Sequence, residues 1–162
     1  MILSIDTCLG ASSAAVLDGE RVLAARSEPM TRGHQERIGV LAREAAAEAG
    51  VAFADLTRIG VTVGPGSFTG LRVGLAFAKG LATALSIPCV GVNTLEALAA
   101  SAQASGFVAG VLDAKMGQVG GDVPTARPAL EHETVPVLHG IVAQTQARVF
   151  GKVRCTGQRA VQ

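Results

Sequence analysis

The spacing of apolar residues divides the chain into short strands and longer helices. Short apolar runs predict β-strands at 2–6, 12–17, 21–27, 59–63 and 89–92. Apolar residues that recur three and four positions apart predict helices at 34–49, 69–85 and 94–104. The predicted order is therefore βββαβαβ, which belongs to a layered α/β fold.

Residues that favour turns and helix ends mark the boundaries of these elements. Asp18-Gly19 predicts a tight hairpin between the second and third strands. Gly50 predicts the end of the first helix, and Pro88 follows the predicted end of the second. Thr94 is predicted to cap the third helix. The chain thus opens with a β-meander rather than with a βα unit.

The regular pattern weakens in the last third of the chain. It predicts an N-terminal lobe at 1–106 and a shortened or atypical second lobe at 107–162. Residues 108–113 predict a strand at the start of this second lobe. From Gly120 onward three prolines interrupt the chain, and the apolar residues keep neither period for long. We therefore expect few regular elements in 120–162.

Composition narrows the class of protein. Hydrophobic residues make up 49% of the chain, which argues against intrinsic disorder. No apolar run reaches the roughly 18 residues of a membrane span. The first six residues lack the basic region and the small-residue cleavage site of a signal peptide. We expect a soluble, cytoplasmic protein that has no membrane partner.

Charge and aromatic content argue against direct nucleic-acid binding. The formal net charge is +1, and the chain has neither Trp nor Tyr. Surfaces that bind nucleic acid combine clustered positive charge with aromatic side chains on which bases stack. Any contact with RNA is therefore expected to be indirect, through a partner protein.

The cysteine and histidine positions form no metal-site pattern. Cys8, Cys89 and Cys155 contain no CxxC pair, and the three histidines are isolated from one another. We expect three reduced thiols, two of them buried at strand ends, and neither a metal site nor a bound cofactor.

A glycine-rich turn, Gly64-Pro65-Gly66-Ser67-Phe68-Thr69-Gly70, separates a predicted strand from a predicted helix. It lacks the Lys of a phosphate loop and the flanking glycines of a serine nucleophile elbow. Two interpretations stay open. Free backbone amides and the hydroxyls of Ser67 and Thr69 would receive an anion. Alternatively, glycine supplies unusual backbone angles and one of these hydroxyls caps the helix.

The predicted helix at 69–85 is apolar on most of its circumference. One apolar face lies on the sheet, so the other must be covered by the first helix or by a partner protein. Arg72 and Lys79 are its only charged residues. We predict a partner surface on the second apolar face, with two glycines that allow close approach of a backbone. Its residues are Val73, Phe77, Leu81, Ala84, Gly70 and Gly74.

Several segments resemble the TsaB (YeaZ) family. The most specific runs from Gly64 to Gly74 and continues through Ala78-Lys79-Gly80-Leu81-Ala82. Supporting segments are Ile5-Asp6-Thr7, the stretch 91–99 and the stretch 112–117, so that the resemblance covers about residues 1–119. It implies an actin-like (ASKHA, ribonuclease H-like) lobe. After Val119 the resemblance stops, as it would if the second lobe were truncated and rebuilt, or if the tail derived from an altered reading frame.

The resemblance also implies a role. TsaB-like chains pair with a TsaD-like enzyme, here through the helices at 34–49 and 69–85, and the pair forms N6-threonylcarbamoyladenosine at position 37 of tRNA. A TsaE-like ATPase is the further partner. TsaD binds metal through two histidines four residues apart, and the matching positions here are Thr94 and Leu98. The resemblance therefore implies a non-catalytic scaffold subunit.

Asp6 lies where actin-like ATPases place an aspartate that contacts phosphate or metal. The resemblance therefore suggests a weak nucleotide or anion site formed by Asp6, Thr7, Gly66, Ser67 and Thr69. The other interpretation is a strand-end carboxylate satisfied by backbone amides. A nucleotide-binding enzyme of the actin-like superfamily, such as a small kinase, an ATPase or a peptidase-like protein, is the alternative function. A homodimer through the same helix faces is the alternative assembly.

Overall fold

The computed structural model describes residues 1–30, 33–101, 112–113 and 119–120. These residues form a five-stranded sheet, three α-helices, one short 3-10 turn and a separate two-stranded pairing. In chain order the elements are β1 (Ile2–Asp6), β2 (Ala11–Asp18), β3 (Arg21–Pro29), α1 (His34–Ala49), the 3-10 turn (Phe53–Asp55), β4 (Arg58–Gly64), α2 (Phe68–Leu85), β5 (Cys89–Asn93), α3 (Thr94–Ser101), β6 (Leu112–Asp113) and β7 (Val119–Gly120).

The five-stranded sheet has the order β3-β2-β1-β4-β5. β1, β2 and β3 pair antiparallel, whereas β4 runs parallel to β1 and β5 runs parallel to β4. Parallel neighbours need a crossover, and α2 provides it between β4 and β5. The predicted order βββαβαβ is confirmed. The carboxyl ends of β1, β4 and β5 consequently meet at one edge of the sheet.

Residues of each strand alternate between the two faces of the sheet, as the period of two requires. Leu3 and Ile5 of β1 lie in the main core with residues of α1 and α2. Ile2 and Leu17 lie on the other face, in a smaller cluster with Ala97 of α3. The sheet is therefore a central layer with helices on both faces.

α1 and α2 pack side by side on the same face of the sheet. α1 lies against β2 and β3, and its alanines Ala42 and Ala45 are fully buried there because a small side chain lets the helix approach the sheet closely. Gly50 ends α1 with a φ of 67°, a backbone angle that favours glycine. No described helix combines the length and the hydropathy needed to span a membrane.

The hairpin between β2 and β3 differs from the prediction by one residue. Asp18 pairs with Arg21, so Gly19 and Glu20 form the turn. Gly19 has a φ of 56°, whereas Asp18 is the last residue of the strand. Strand register, rather than local preference alone, decides which residue must adopt the left-handed conformation.

The described part of the second predicted lobe is one short antiparallel pairing. Leu112 pairs with Gly120, and Asp113 pairs with Val119. The structure describes two residues of the predicted strand at 108–113, Leu112 and Asp113, and both are in a strand. The predictions for 120–162 concern residues that, apart from Gly120, lie outside the described ones, so the proposed second lobe stays a prediction.

Candidate functional site

Polar side chains gather where β1 and β4 end, in a group that we call the strand-end cluster: Asp6, Cys8, Thr62 and Thr94. The Thr62 hydroxyl donates to Asp6 Oδ1 at 2.7 Å, and the Cys8 thiol donates to Thr62 Oγ1 at 2.7 Å. The Cys8 backbone N–H also donates to Asp6 Oδ1, at 2.9 Å. A buried carboxylate needs such donors because burial removes its water. Parallel pairing of β1 and β4 brings the Thr62 hydroxyl to Asp6, whereas the Cys8 N–H is two residues away in the same segment.

Thr94 joins the cluster because it does not cap α3, which corrects the sequence prediction. Asn93 caps this helix instead: its Oδ1 accepts from the backbone N–H of Leu95 at 2.8 Å and from that of Glu96 at 3.4 Å. Thr94 is only 2% exposed, and its hydroxyl has no hydrogen-bond partner among the described residues. The hydroxyl lies close enough to the Cys8 thiol to favour its ionised form.

The Cys8 thiol is a poor nucleophile in this environment. Burial raises the pKa of Cys8 from 9.0 to about 11, and the negative charge of Asp6 acts in the same direction. The hydroxyls of Thr62 and Thr94 oppose this shift only in part. Because the thiolate is the reactive form, Cys8 serves here as a neutral hydrogen-bond donor.

The cysteine prediction needs one correction. Cys8 is buried at the carboxyl end of a strand, as predicted, but Cys89 is exposed. Cys89 begins β5, which lies at the edge of the five-stranded sheet, so one side of that strand has no neighbour in this sheet. Cys155 lies outside the described residues.

The glycine-rich turn packs tightly against the end of β1. The Ser67 N–H donates to the Cys8 carbonyl at 2.7 Å, and the Thr7 hydroxyl donates to the Gly70 carbonyl at 2.7 Å. A Cβ at Gly66 would overlap the Cys8 carbonyl oxygen, and one at Gly70 would overlap that of Thr7. Glycine is thus required because two backbone segments touch.

The residues predicted for a weak nucleotide or anion site lie near one another, where the glycine-rich turn packs on the end of β1, but their polar groups have different partners. Asp6 belongs to the strand-end cluster, whereas Thr7 faces α2 and bonds to Gly70. Ser67 caps α2, with its Oγ accepting from the Gly70 N–H at 3.3 Å. Gly66 and Thr69 are exposed beside this cap. Ser67 therefore has the capping role that one of the two open interpretations gave it.

A groove of about 380 Å³ runs between α1 and α2. Phe77 and Leu81 of α2 line one wall, and both are half-buried because they also pack on the main core. The other wall comes from α1, where Gly39 leaves space opposite the Phe77 ring. The remaining lining residues are Gln35, Glu36, Val40, Arg43 and Phe53.

The predicted partner-surface residues divide between the two sides of α2. Val73 is half-buried like Phe77 and Leu81, and Ala84 is exposed. Gly70 and Gly74, by contrast, are buried against Thr7 of the same chain, where a Cβ on either would overlap Thr7 atoms. Their close backbone approach is therefore made within the chain, and this corrects their assignment to an exposed surface.

Two exposed ion pairs link α1 to the edge strand β3. Arg26 meets Glu48 at 2.9 Å, and Arg37 meets Glu28 at 2.7 Å. The second pair also raises the pKa of Arg37, through its hydrogen bond to Glu28. All four side chains are about 40% exposed or more, so each pair contributes little stability. In the part of the chain that the structure describes, no three His, Cys, Asp or Glu side chains gather around a metal position.

Comparison with known proteins identifies relatives of this fold. A family model described as "TsaD: tRNA N6-adenosine threonylcarbamoyltransferase" matches residues 25–121. The tRNA threonylcarbamoyladenosine biosynthesis protein TsaB of Escherichia coli is 35% identical, over 73% of this chain and 52% of that protein. YeaZ from Pseudomonas aeruginosa superposes with a TM-score of 0.67 at 36% identity, over 73% of this chain and 56% of that one. This chain belongs to the TsaB/YeaZ family.

A TsaB protein and an enzyme of the related group match this chain over stretches of different length. TsaB from Bacillus subtilis is 34% identical over 136 residues, whereas the tRNA N6-adenosine threonylcarbamoyltransferase of Clostridium novyi is 49% identical over 69 residues. The predicted actin-like fold is confirmed by these relatives. The chain spans about half the length of the TsaB proteins that it matches.

Sequence reasoning assigned pairing to the helix at 34–49 but named none of the α1 residues that line the groove, and it missed the strand-end cluster. A glycine inside a helix costs about 1 kcal/mol relative to alanine, so Gly39 in α1 was a usable signal of a close approach or a groove. Asn93 followed three residues later by Glu96 is a helix-start pattern that identifies the cap without a structure. No local signal placed Thr94 beside Cys8, because their contact depends on the parallel pairing of distant strands.

Proposed function

We propose that this TsaB/YeaZ-family chain is a non-catalytic subunit that binds a TsaD-like enzyme and supports its formation of N6-threonylcarbamoyladenosine at position 37 of tRNA. The family assignment and the printed function of the TsaB relatives support the pathway. The family model named for the transferase supports a related protein as the partner.

The observation that carries the proposal is the groove between α1 and α2. Its apolar lining is Phe77 and Leu81 of α2, Val40 of α1 and Phe53 of the 3-10 turn, and α1 adds the polar side chains of Gln35, Glu36 and Arg43. The side chains of Phe77 and Leu81 are only half covered by their own core. A helix of a partner that inserted apolar side chains here would complete the burial of both residues, and burial of apolar surface drives association. The surface is convex at α1 and α2 and concave between them, which suits helix-on-helix packing.

The strand-end cluster supports a non-catalytic role. Asp6 Oδ1 is engaged by the Cys8 N–H and the Thr62 hydroxyl, and the raised pKa of Cys8 disfavours a thiolate nucleophile. Thr94 and Leu98 stand at the positions that match the metal-binding histidines of the related enzyme. A threonine hydroxyl and an aliphatic side chain are poor replacements for two imidazoles.

The remaining partners follow from the same role. A TsaE-like ATPase would act on the assembled pair in the cytoplasm, and tRNA would be bound chiefly by the enzyme subunit. The net charge of +1 and the absence of Trp and Tyr support an indirect contact with RNA. Any nucleotide bound by this chain alone would be bound weakly.

Co-purification with a TsaD-like protein from the same source, followed by mass determination, tests the proposal. We expect a one-to-one complex that Phe77→Asp abolishes, because an unpaired charge in a buried interface costs several kcal/mol. Phe77 also packs on the core, so Ala84→Glu provides a second variant, at an exposed position of the same helix. The control is Ala25→Asp, on exposed β3.

The outcomes separate the proposal from its rivals. A wild-type chain that stays monomeric, or that forms only homodimers beside the TsaD-like protein, contradicts the proposal. A complex that tolerates both Phe77→Asp and Ala84→Glu places the interface elsewhere. Circular dichroism of each variant shows whether loss of binding reflects loss of folding.

A further inference from the structure

Two opposite charges lie on the wall of the groove that α1 provides. Glu36 and Arg43 both line the groove, and both residues are exposed. They are seven residues apart, which is two helical turns or about 10.5 Å along the axis. Gly39 and Val40 lie between them on the same wall. This wall therefore has an acidic end, a small and apolar middle, and a basic end.

Glu36 and Arg43 form no ion pair with a residue that the structure describes, because the ion pairs between α1 and β3 use Arg37 and Glu48 instead. Both charges border the half-covered Phe77 side chain, which a partner in the groove would bury. Such a partner would also exclude water from the two charges. It would then have to supply a charge of opposite sign at each end of the groove.

The order of these features is self-complementary. Positions 36 and 43 are symmetric about the midpoint between Gly39 and Val40. A helix with the same order of features, packed antiparallel to α1, would place its basic residue on Glu36 and its acidic residue on Arg43, with its counterpart of Val40 over Gly39. Packed parallel and in register, the same helix would oppose like charges. The wall therefore suits a partner helix that is related to α1.

The proposed partner is expected to have such a helix. The TsaD family model matches residues 25–121, which include all of α1 and α2. We infer that the groove receives the TsaD-like partner's counterpart of α1, packed antiparallel, with a basic side chain against Glu36, an acidic side chain against Arg43 and an apolar side chain over Gly39. This inference rests on the proposed function and adds the chemistry by which the partner is recognised.

Other occupants are outcomes of the test. A second copy of this chain has the same two charges, so self-association through α1 is the rival. RNA fits less well, because Glu36 repels phosphate and Arg43 is the one cation among the described residues that line the groove.

The test measures the affinity of the full chain for the TsaD-like subunit by surface plasmon resonance at low and high salt. The variants are the reversals Glu36→Lys and Arg43→Glu and the neutral Glu36→Gln and Arg43→Gln. We expect each reversal to weaken binding about tenfold at low salt, with a smaller effect of each neutral variant. High salt should remove part of the difference. The matched control E20K/R21E changes the same two charge types at the exposed β2–β3 hairpin and should bind as wild type does.

The direction of the partner helix is tested by rescue. In the partner's counterpart of α1, the acidic residue that matches Glu36 is changed to Lys. We expect this partner variant to restore binding of Arg43→Glu but not of Glu36→Lys, because antiparallel packing places it over Arg43. Rescue of Glu36→Lys alone would overturn the antiparallel arrangement.

Each further outcome decides the inference. If wild type binds and Phe77→Asp abolishes binding, but both reversals keep the wild-type affinity and salt dependence, the proposed function stands and the inference is wrong. A TsaD-like partner without the acidic and basic pair in this helix also overturns the inference. If wild type does not bind the TsaD-like subunit, the proposed function fails and the inference fails with it.

Mass determination of the chain alone tests the rival occupant. If the reversals weaken only self-association and leave binding of the TsaD-like subunit unchanged, a second copy occupies the groove and the inference is wrong. Thermal melts of the variants, whose changed residues are exposed, verify folding.

Discussion

Small residues serve opposite purposes on the two sides of α2. On the side that faces the strand ends, Gly70 and Gly74 approach Thr7 so closely that neither position has room for a Cβ. On the opposite side, a Cβ at Gly80 would meet no atom within 4 Å. The first side is completed within the chain, whereas the second is open and adjoins the groove.

This difference teaches how one helix supports both the fold and the proposed interface. The closed side is completed by Thr7, whose hydroxyl donates to the Gly70 carbonyl and lies against Gly74. The open side leaves Phe77 and Leu81 half covered at the groove and Gly80 exposed. Mutations on the closed side should therefore change stability, and those on the open side should change binding.

The largest effect is expected from adding one methyl group on the closed side. Gly70→Ala would place a Cβ against the Thr7 carbonyl, and we expect it to lower the free energy of unfolding by about 3 kcal/mol. Gly80→Ala adds the same group in open space and should raise stability by about 1 kcal/mol through helix propensity. Urea unfolding of both variants measures this. Equal stabilities would mean that the contact of Gly70 with Thr7 is not a constraint.

The pH dependence of stability tests the strand-end cluster. The folded thiol of Cys8 keeps its proton up to about pH 11, whereas an unfolded thiol loses it near 9.0. The unfolded state therefore binds fewer protons in this window, and stability falls as the pH rises. Between about pH 8 and about pH 11, wild type should lose about 2 kcal/mol more than Cys8→Ser.

The control for this experiment is Cys89→Ser. Cys89 is exposed, and although burial raises its pKa, Lys79 opposes the shift. Its removal should change the slope of stability against pH less than the removal of Cys8 does. A Cys8→Ser variant with the wild-type slope would contradict the buried, neutral thiol.

A variant that fills the groove between α1 and α2 tests whether the partner binds there. Gly39→Leu should be tolerated by the fold, because a Cβ at this position would lie 3.5 Å from the Phe77 ring, an ordinary contact. Its side chain would occupy the space proposed for the partner, so we expect about tenfold weaker binding, or about 1.4 kcal/mol. Ala25→Leu adds bulk on exposed β3 and should bind as wild type does. Calorimetric titration with the TsaD-like subunit distinguishes the two.

The smallest effect concerns the start of α3. Asn93→Ala removes the side chain that accepts from the Leu95 and Glu96 amides and should cost about 1 kcal/mol. Thr94→Val removes an unpaired buried hydroxyl at nearly constant shape and should be neutral or slightly stabilising. Denaturant unfolding of the two variants compares them. The reverse order of stabilities would restore Thr94 as the cap.

Most of the first lobe was predictable because its elements have local causes. The sequence periods predicted α1 at its observed bounds and α2 within one residue of its start. The strands of the sheet agree with the predictions within two residues at each end. The predicted hairpin turn was one residue too early, because strand register decides which residues form the turn. The predicted cap of α3 was Thr94, whereas Asn93 has that role.

The sequence by itself determined the order of strands and helices and an α2 that is apolar on most sides, since apolar period and turn residues act over short distances. The resemblance of the 64–74 segment, rather than periodicity, indicated the family. Only the tertiary structure decided which side of α2 is closed. Parallel pairing of β1 and β4 carries Thr7 and Cys8 against Gly66, Gly70 and Gly74. Contacts between residues more than fifty positions apart leave no periodic trace in a single sequence, so Gly70 and Gly74 of the closed side and Gly80 of the open side looked alike until the fold separated them.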